Sequence, residues 1–202
     1  MGKSLQVHAN FKITLALLAL LLLPSLAPAH PALPGHTHGF ANGLAHPLTG
    51  LDHICAMIAV GLWAAQHGGR ALWGVPLAFV SSMALGGMLG EMGGAVPFVE
   101  MGTASSVLIL GVLIAASVRL PLLMSIPIVG VFALFHGFAH GAEMPAMASC
   151  LAYGIGFILA TASLHLCGIS LGLAARRLAS MQPIRYAGAA IAICGVFLFF
   201  TA

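Results

Sequence analysis

Long apolar runs separated by short polar breaks govern the reading of this chain. Six apolar segments can be drawn, at about 47–66, 72–89, 101–118, 122–142, 146–173 and 184–201, each near the roughly 20 residues that a helix needs to cross the hydrocarbon of a bilayer. The third is short and the fifth long, so tilt or an interfacial turn is expected there. Pro121, Pro145 and Pro183 stand at segment starts, where a missing backbone N–H does least harm. Pro76 and Pro127 fall in first turns or slightly deeper and are expected to kink their helices. Ahead of these segments, Lys3 and Lys12, the apolar run Ile13–Leu23 and the sequence Ala27-Pro28-Ala29 have the order of a secretory signal. The predicted fold class is therefore an all-α membrane protein: a cleaved signal peptide, residues 1–29, then one domain, residues 30–202, built as a bundle of six transmembrane helices. Cleavage after Ala29 would leave His30 first; the alternative is an uncleaved anchor.

Composition narrows the class further. Hydrophobic residues make up 60% of the chain and charged residues 5%, against about 25% charged in a soluble domain. A net charge of +3 from seven Lys and Arg and four acids is too sparse for a nucleic-acid surface. The four cysteines, Cys55, Cys150, Cys167 and Cys194, include no CxxC pair and are expected to be small buried core residues rather than disulfides or a zinc knuckle. Glycines four apart (Gly86 and Gly90, Gly90 and Gly94, Gly137 and Gly141, Gly168 and Gly172) are expected to let helices pack closely in lipid.

The charges that do occur are placed unevenly. Arg70, Arg119, Arg176, Arg177 and Arg185 all fall on one side of the predicted spans, while Glu91, Glu100 and Glu143 fall on or near the other. The positive-inside rule puts the arginine side in the cytoplasm and both mature termini outside. A signal peptide requires the same external N-terminus.

Two strings break the apolar pattern, HPLTGLDH at 46–53 and FHGFAHGAE at 135–143. Holding an ionisable group at membrane depth costs roughly 2.5–3.5 kcal/mol on insertion scales, so each such group is expected to have a partner. Imidazole and carboxylate together suit a divalent cation. His46 precedes Pro47 and is expected near a helix start, sharing a face with His53 at a separation of roughly 10 Å along the axis. Asp52 points elsewhere unless Gly50 lets the first turn distort. Met57, four residues after His53, is read as packing. His136, His140 and Glu143 form one stripe of a helix. By the orientation argument both strings lie toward the external half of the membrane, where one ion can touch both. His165 lies deeper, either a relay on the inward path or a structural histidine, and His67 is read as an exposed loop residue. His30, His36 and His38 lie near the mature N-terminus, where they could collect metal outside.

HPLTGLDH, with its H-x5-D-H spacing, and FHGFAHGAE resemble the two motifs of the HupE/UreJ family of nickel and cobalt permeases. The resemblance covers the whole mature region, and both motifs are complete. It implies secondary uptake of Ni2+ or Co2+ as transported substrate, with no bound cofactor, across a bacterial inner membrane, often in support of hydrogenase or urease maturation. Carried over by position, the metal-handling residues would be His46, Asp52, His53, His136, His140 and Glu143; His30 and His165 are further candidates from their place in the chain alone. The expected partners are the lipid bilayer and a divalent metal ion; a homo-oligomer is left open. No Walker motif is present, so ATP hydrolysis by this chain is not expected, and no catalytic residue is assigned. The rivals are an intramembrane metal-dependent hydrolase, disfavoured by the lack of an HExxH arrangement, and a metal-binding assembly factor that moves no ion.

Overall fold

A computed structural model describes residues 38–144, 148–177 and 180–202, with His38 described in its backbone only. The signal segment expected over 1–29, with His30 and His36, lies outside the described residues, as do Pro145 and the expected start of the fifth span at 146. The described chain is helical throughout: α1 His38–Ala45, a 3-10 turn His46–Leu48, α2 Leu51–His67, α3 Ala71–Glu91, α4 Val99–Ala115, α5 Leu122–Ala142, α6 Cys150–Arg177 and α7 Gln182–Thr201. Four of these, α3, α5, α6 and α7, are long and apolar enough to cross a membrane, and a fifth crossing results if Gly39–Leu48 and Leu51–His67 count as one bent span. The apolar helix α4 has 17 residues, which at about 1.5 Å each gives about 25 Å against a hydrocarbon core of about 30 Å.

The first expected span is corrected by the structure. A continuous helix from about 47 is replaced by two pieces bent by 77°. Pro47 cannot supply the N–H that would carry a helix through. Thr49 closes the 3-10 turn instead, bonding back to His46 O through its N–H (3.0 Å) and its hydroxyl (2.7 Å). Gly50 then runs extended, with φ −89° and ψ 122°, before α2 starts at Leu51. His46 and His53 therefore do not share a helix face. The short α1, ahead of the bend, was not expected at all.

Helix ends elsewhere follow backbone chemistry. At the end of α3 Gly93 takes φ 74°, and the N–H groups of Gly93 and Gly94 bond to Gly90 O and Leu89 O, a Schellman closure. At the end of α4 Ser117 takes φ 55°, and the N–H groups of Ser117 and Val118 bond to Ile114 O and Leu113 O in the same pattern. That closure stops the third helix short of the expected 118. The fifth expected span, 146–173, is observed as α6, of the same 28 residues in length but starting four residues later.

At the centre lies α2, buried at every residue from His53 to Gln66. A helix apolar all round has no outward face, and α2 is flanked by α6, α4 and α3. Around it α3 packs on α5, α4 on α7, and α1 on α6. Small residues allow these approaches, as expected. A Cβ on Gly137 would run into Met83 O and one on Gly141 into Gly87 O, while Gly61 and Gly168 hold α2 against α6 in the same way. The outward faces carry large exposed side chains such as Leu77, Leu123, Leu151 and Phe200, which suits contact with lipid.

Connectivity places the arginines at one end of the bundle and the histidine strings at the other. At the arginine end Arg176 Nη1 donates to Ala65 O (2.8 Å) and Arg185 Nε to Ala115 O (2.9 Å). These are carbonyls of the last turns of α2 and α4, which have no partner within their own helices. His67 is also used here, against expectation: its Nδ1 meets Trp63 O at 2.9 Å and its Nε2 accepts the N–H of Leu120 at 3.0 Å. Among the cysteines Cys55 is buried as expected and Cys150 is exposed.

Candidate metal centre

At the other end the bend of the first span, the top of α2 and the last turns of α5 converge. Two groups of side chains there could hold a metal ion, His53 with His136 and His140, and His46 with His140 and Glu143. In each group every residue offers one ligand atom within 4.8 Å of the others. Helical geometry explains how α5 serves both. His136 and His140 are one turn apart on a common face, and Glu143 continues that stripe past the helix end. The bend at Thr49–Gly50 swings His46 over the top of α2, so that it faces His140 rather than extending away from His53.

The inner group is buried, with His53 and His136 at 0% exposure and His140 at 8%. The ring centroids of His53 and His136 lie 5.4 Å apart and those of His53 and His140 4.9 Å apart. Phe157 on α6 packs against His46, His53 and His140 and walls off one side.

Hydrogen bonding decides which nitrogen each ring leaves free. His136 Nε2 lies 2.7 Å from Ser106 Oγ, and that hydroxyl gives its single proton to Thr103 O at 2.6 Å. His136 Nε2–H must therefore be the donor, which leaves a lone pair on Nδ1. At His53 the engaged nitrogen is again Nε2, which lies 3.2 Å from Thr161 Oγ1. His140 Nδ1 faces His46 Nε2 at 2.9 Å and Glu143 Oε2 at 3.4 Å. That edge of the His140 ring is therefore the engaged one, and Nε2 is the nitrogen left over. The remaining nitrogens, His53 Nδ1, His136 Nδ1 and His140 Nε2, are buried without a hydrogen-bond partner. A buried polar atom left unpaired costs about 1–3 kcal/mol. Three such atoms on three neighbouring rings form a donor set lacking an acceptor.

The outer group is wetter. The side chains of His46 and Glu143 are 30% and 60% exposed, and Glu143 Oε2 lies 3.2 Å from His46 Nε2. The hydrogen bond from His140, with the nearby charge of His140 and His46, holds the Glu143 carboxyl below the usual carboxylate range against the opposing effect of its partial burial. A carboxylate kept ionised beside two imidazoles attracts a cation.

Comparison with known proteins gives the family. Residues 18–198 match the family described as HupE / UreJ protein. The chain is also 48% identical over 189 residues to Protein HupE of Rhizobium leguminosarum bv. viciae, covering 93% of this chain and 96% of that protein. The chain belongs to the HupE/UreJ family. No solved structure matches it.

The HupE/UreJ motifs are thus folded together, with one residue apart. His46, His53, His136, His140 and Glu143 meet, whereas Asp52 joins neither group. Its Oδ1 sits 2.7 Å from where a Cβ on Gly50 would be, folded back over the start of α2. Next to His53 in sequence, it points about 100° away around the helix. His165 lies deeper, as expected, with both ring nitrogens buried and unpartnered and its ring against Phe79. Ser106, Thr161 and Phe157 were missed by sequence reasoning. For α6 a signal existed: Phe157, Thr161 and His165 recur every four residues and so share a face. Ser106 carries no comparable signal in an otherwise apolar run.

Proposed function

We propose that this chain is a secondary permease that takes up Ni2+ or Co2+ across the inner membrane and supplies metalloenzyme maturation such as that of hydrogenase or urease. In this reading it is not an enzyme. It spans the membrane six times, with α4 as a short crossing, and keeps its mature termini on the periplasmic side. His46, His53, His136, His140 and Glu143 bind the ion; Asp52 contributes charge at the mouth, and His165 is a later contact on the inward path. The observation that carries this reading is the enclosed set of three histidines, each with one nitrogen anchored or facing outward and one bare. Imidazole nitrogen suits late first-row divalent ions, and family membership makes nickel and cobalt the leading cargoes. Binding must remain weak enough for release.

Accumulation of radioactive nickel in cells tests the assignment, comparing wild type with His46→Ala and His136→Ala at matched membrane levels. Uptake is expected to be lost in both variants. Equal accumulation in all three would defeat the assignment.

A further inference from the structure

His140 belongs to both side-chain groups, and one of its two ring nitrogens is already engaged on the outer side. Nδ1 points to His46 and Glu143. Nε2 is the bare, buried nitrogen, and the ring stands 4.9 Å from that of His53. A neutral imidazole has one lone pair, so His140 can ligate through one edge at a time. The two groups therefore cannot both be complete around neutral His140, and occupancy of one withdraws a ligand from the other.

The donor sets also differ in kind. The outer group has a carboxylate that is largely exposed, where a hydrated cation can arrive with most of its waters. The inner group consists of three imidazoles, with no carboxylate among its own members. Hard cations such as Mg2+ demand oxygen and shed water reluctantly, whereas imidazole suits nickel, cobalt, copper and zinc.

Resting on the permease reading, we propose that the two groups are successive stations for a single cation, joined through the two nitrogens of His140. The outer station collects divalent ions by charge, and the inner station admits those that accept three imidazoles. His140 is the hinge of the hand-off and the inner station is the selective step. The ring keeps one proton throughout. With the ion on Nδ1 the proton sits on Nε2. As the ion crosses, Nε2 releases that proton to a water leaving the ion's shell, and Nδ1 takes one from water on the exposed Glu143 side. No net proton is consumed. The resulting tautomer directs Nδ1–H toward Glu143 Oε2, 3.4 Å away.

The test uses the full chain purified in detergent, with Co2+ as a probe whose visible absorption reports its ligands and Mg2+ as competitor. Wild type should bind one Co2+ in a form that excess Mg2+ does not displace. Glu143→Gln should keep that spectrum and its resistance to Mg2+. His53→Ala should bind about tenfold or more weakly, shift the spectrum and become displaceable by Mg2+; its residual binding also shows that the variant is folded. His140→Ala should lose both forms. Equal and complete loss in Glu143→Gln and His53→Ala would overturn the proposal in favour of one composite site. Two Co2+ bound at once to wild type would overturn the shared hinge, and Mg2+ displacing Co2+ equally from both single variants would overturn the selective step. Co2+ uptake into proteoliposomes, measured in parallel, separates the two readings. The expected binding pattern without uptake sinks the permease and leaves the stations as a binding property, whereas uptake through a composite site sinks only the hand-off.

Discussion

The two ends of the bundle use the same residue types for opposite purposes. At the arginine end polar side chains complete the backbone. Arg176, Arg185, Trp63 and Gln66 donate to carbonyls near the ends of α2 and α4, and His67 has both nitrogens engaged, tying α2 to the chain leading into α5. At the opposite end His53 and His136 each spend one nitrogen on a hydroxyl and leave the other bare. Histidine by itself is thus uninformative. Whether its second nitrogen has a partner separates a latch from a ligand, because a free buried lone pair is retained against a cost of about 1–3 kcal/mol.

The sharpest way to break this contrast is to exchange the fates of the two kinds of histidine. His136→Ala should lower metal uptake by about 100-fold or more, since even residues that only orient a ligand are worth about 10–100-fold. His67→Ala should leave uptake per folded molecule nearly unchanged but lower the melting temperature in detergent, having removed two hydrogen bonds of about 1 kcal/mol each. If His67→Ala abolished uptake in protein of normal stability, the arginine end would have to carry function too.

Much of this contrast could be read from the chain, and what could not has physical causes. Six apolar segments and two histidine strings were visible because hydropathy and helical spacing are local properties. His136, His140 and Glu143 share a stripe by arithmetic alone. The bend at Thr49–Gly50 was not visible, because Pro47 fits both a helix start and a 3-10 turn, and the hydroxyl of Thr49 bonding back to His46 O settles which. That bend is what delivers His46 to His140 and leaves Asp52 aside. His67 and the bare nitrogens depend on partners far away in sequence, such as Ser106 for His136 and Thr161 for His53. No spacing rule reaches them.

The hydroxyls offer a finer probe of the histidine end. Ser106→Ala should weaken Co2+ binding by about tenfold while leaving the fold intact, because His136 would lose the acceptor that keeps its proton on Nε2. Ser106→Thr keeps that oxygen and should recover most of the affinity. Equal affinity in wild type and Ser106→Ala would mean that packing alone sets the orientation of His136.

The smallest expected effect comes from the arginine end, and it tests whether the two ends are independent. Arg176 donates to Ala65 O in the last turn of the buried α2, where a cation also meets the negative end of the helix dipole. Arg176→Ala should therefore cost about 1 kcal/mol of stability, seen as a modest fall in melting temperature, and should leave Co2+ affinity as it was. Arg176→Lys keeps the charge but presents a single point donor in place of the guanidinium fork, so it should recover part of that loss. Since α2 runs without interruption from Arg176's contact to His53, a change in Co2+ affinity of more than about threefold, roughly 0.6 kcal/mol, would show that movement at one end is transmitted along this helix to the other. The division between a closing end and a binding end would then be wrong, and α2 would be the lever that links them.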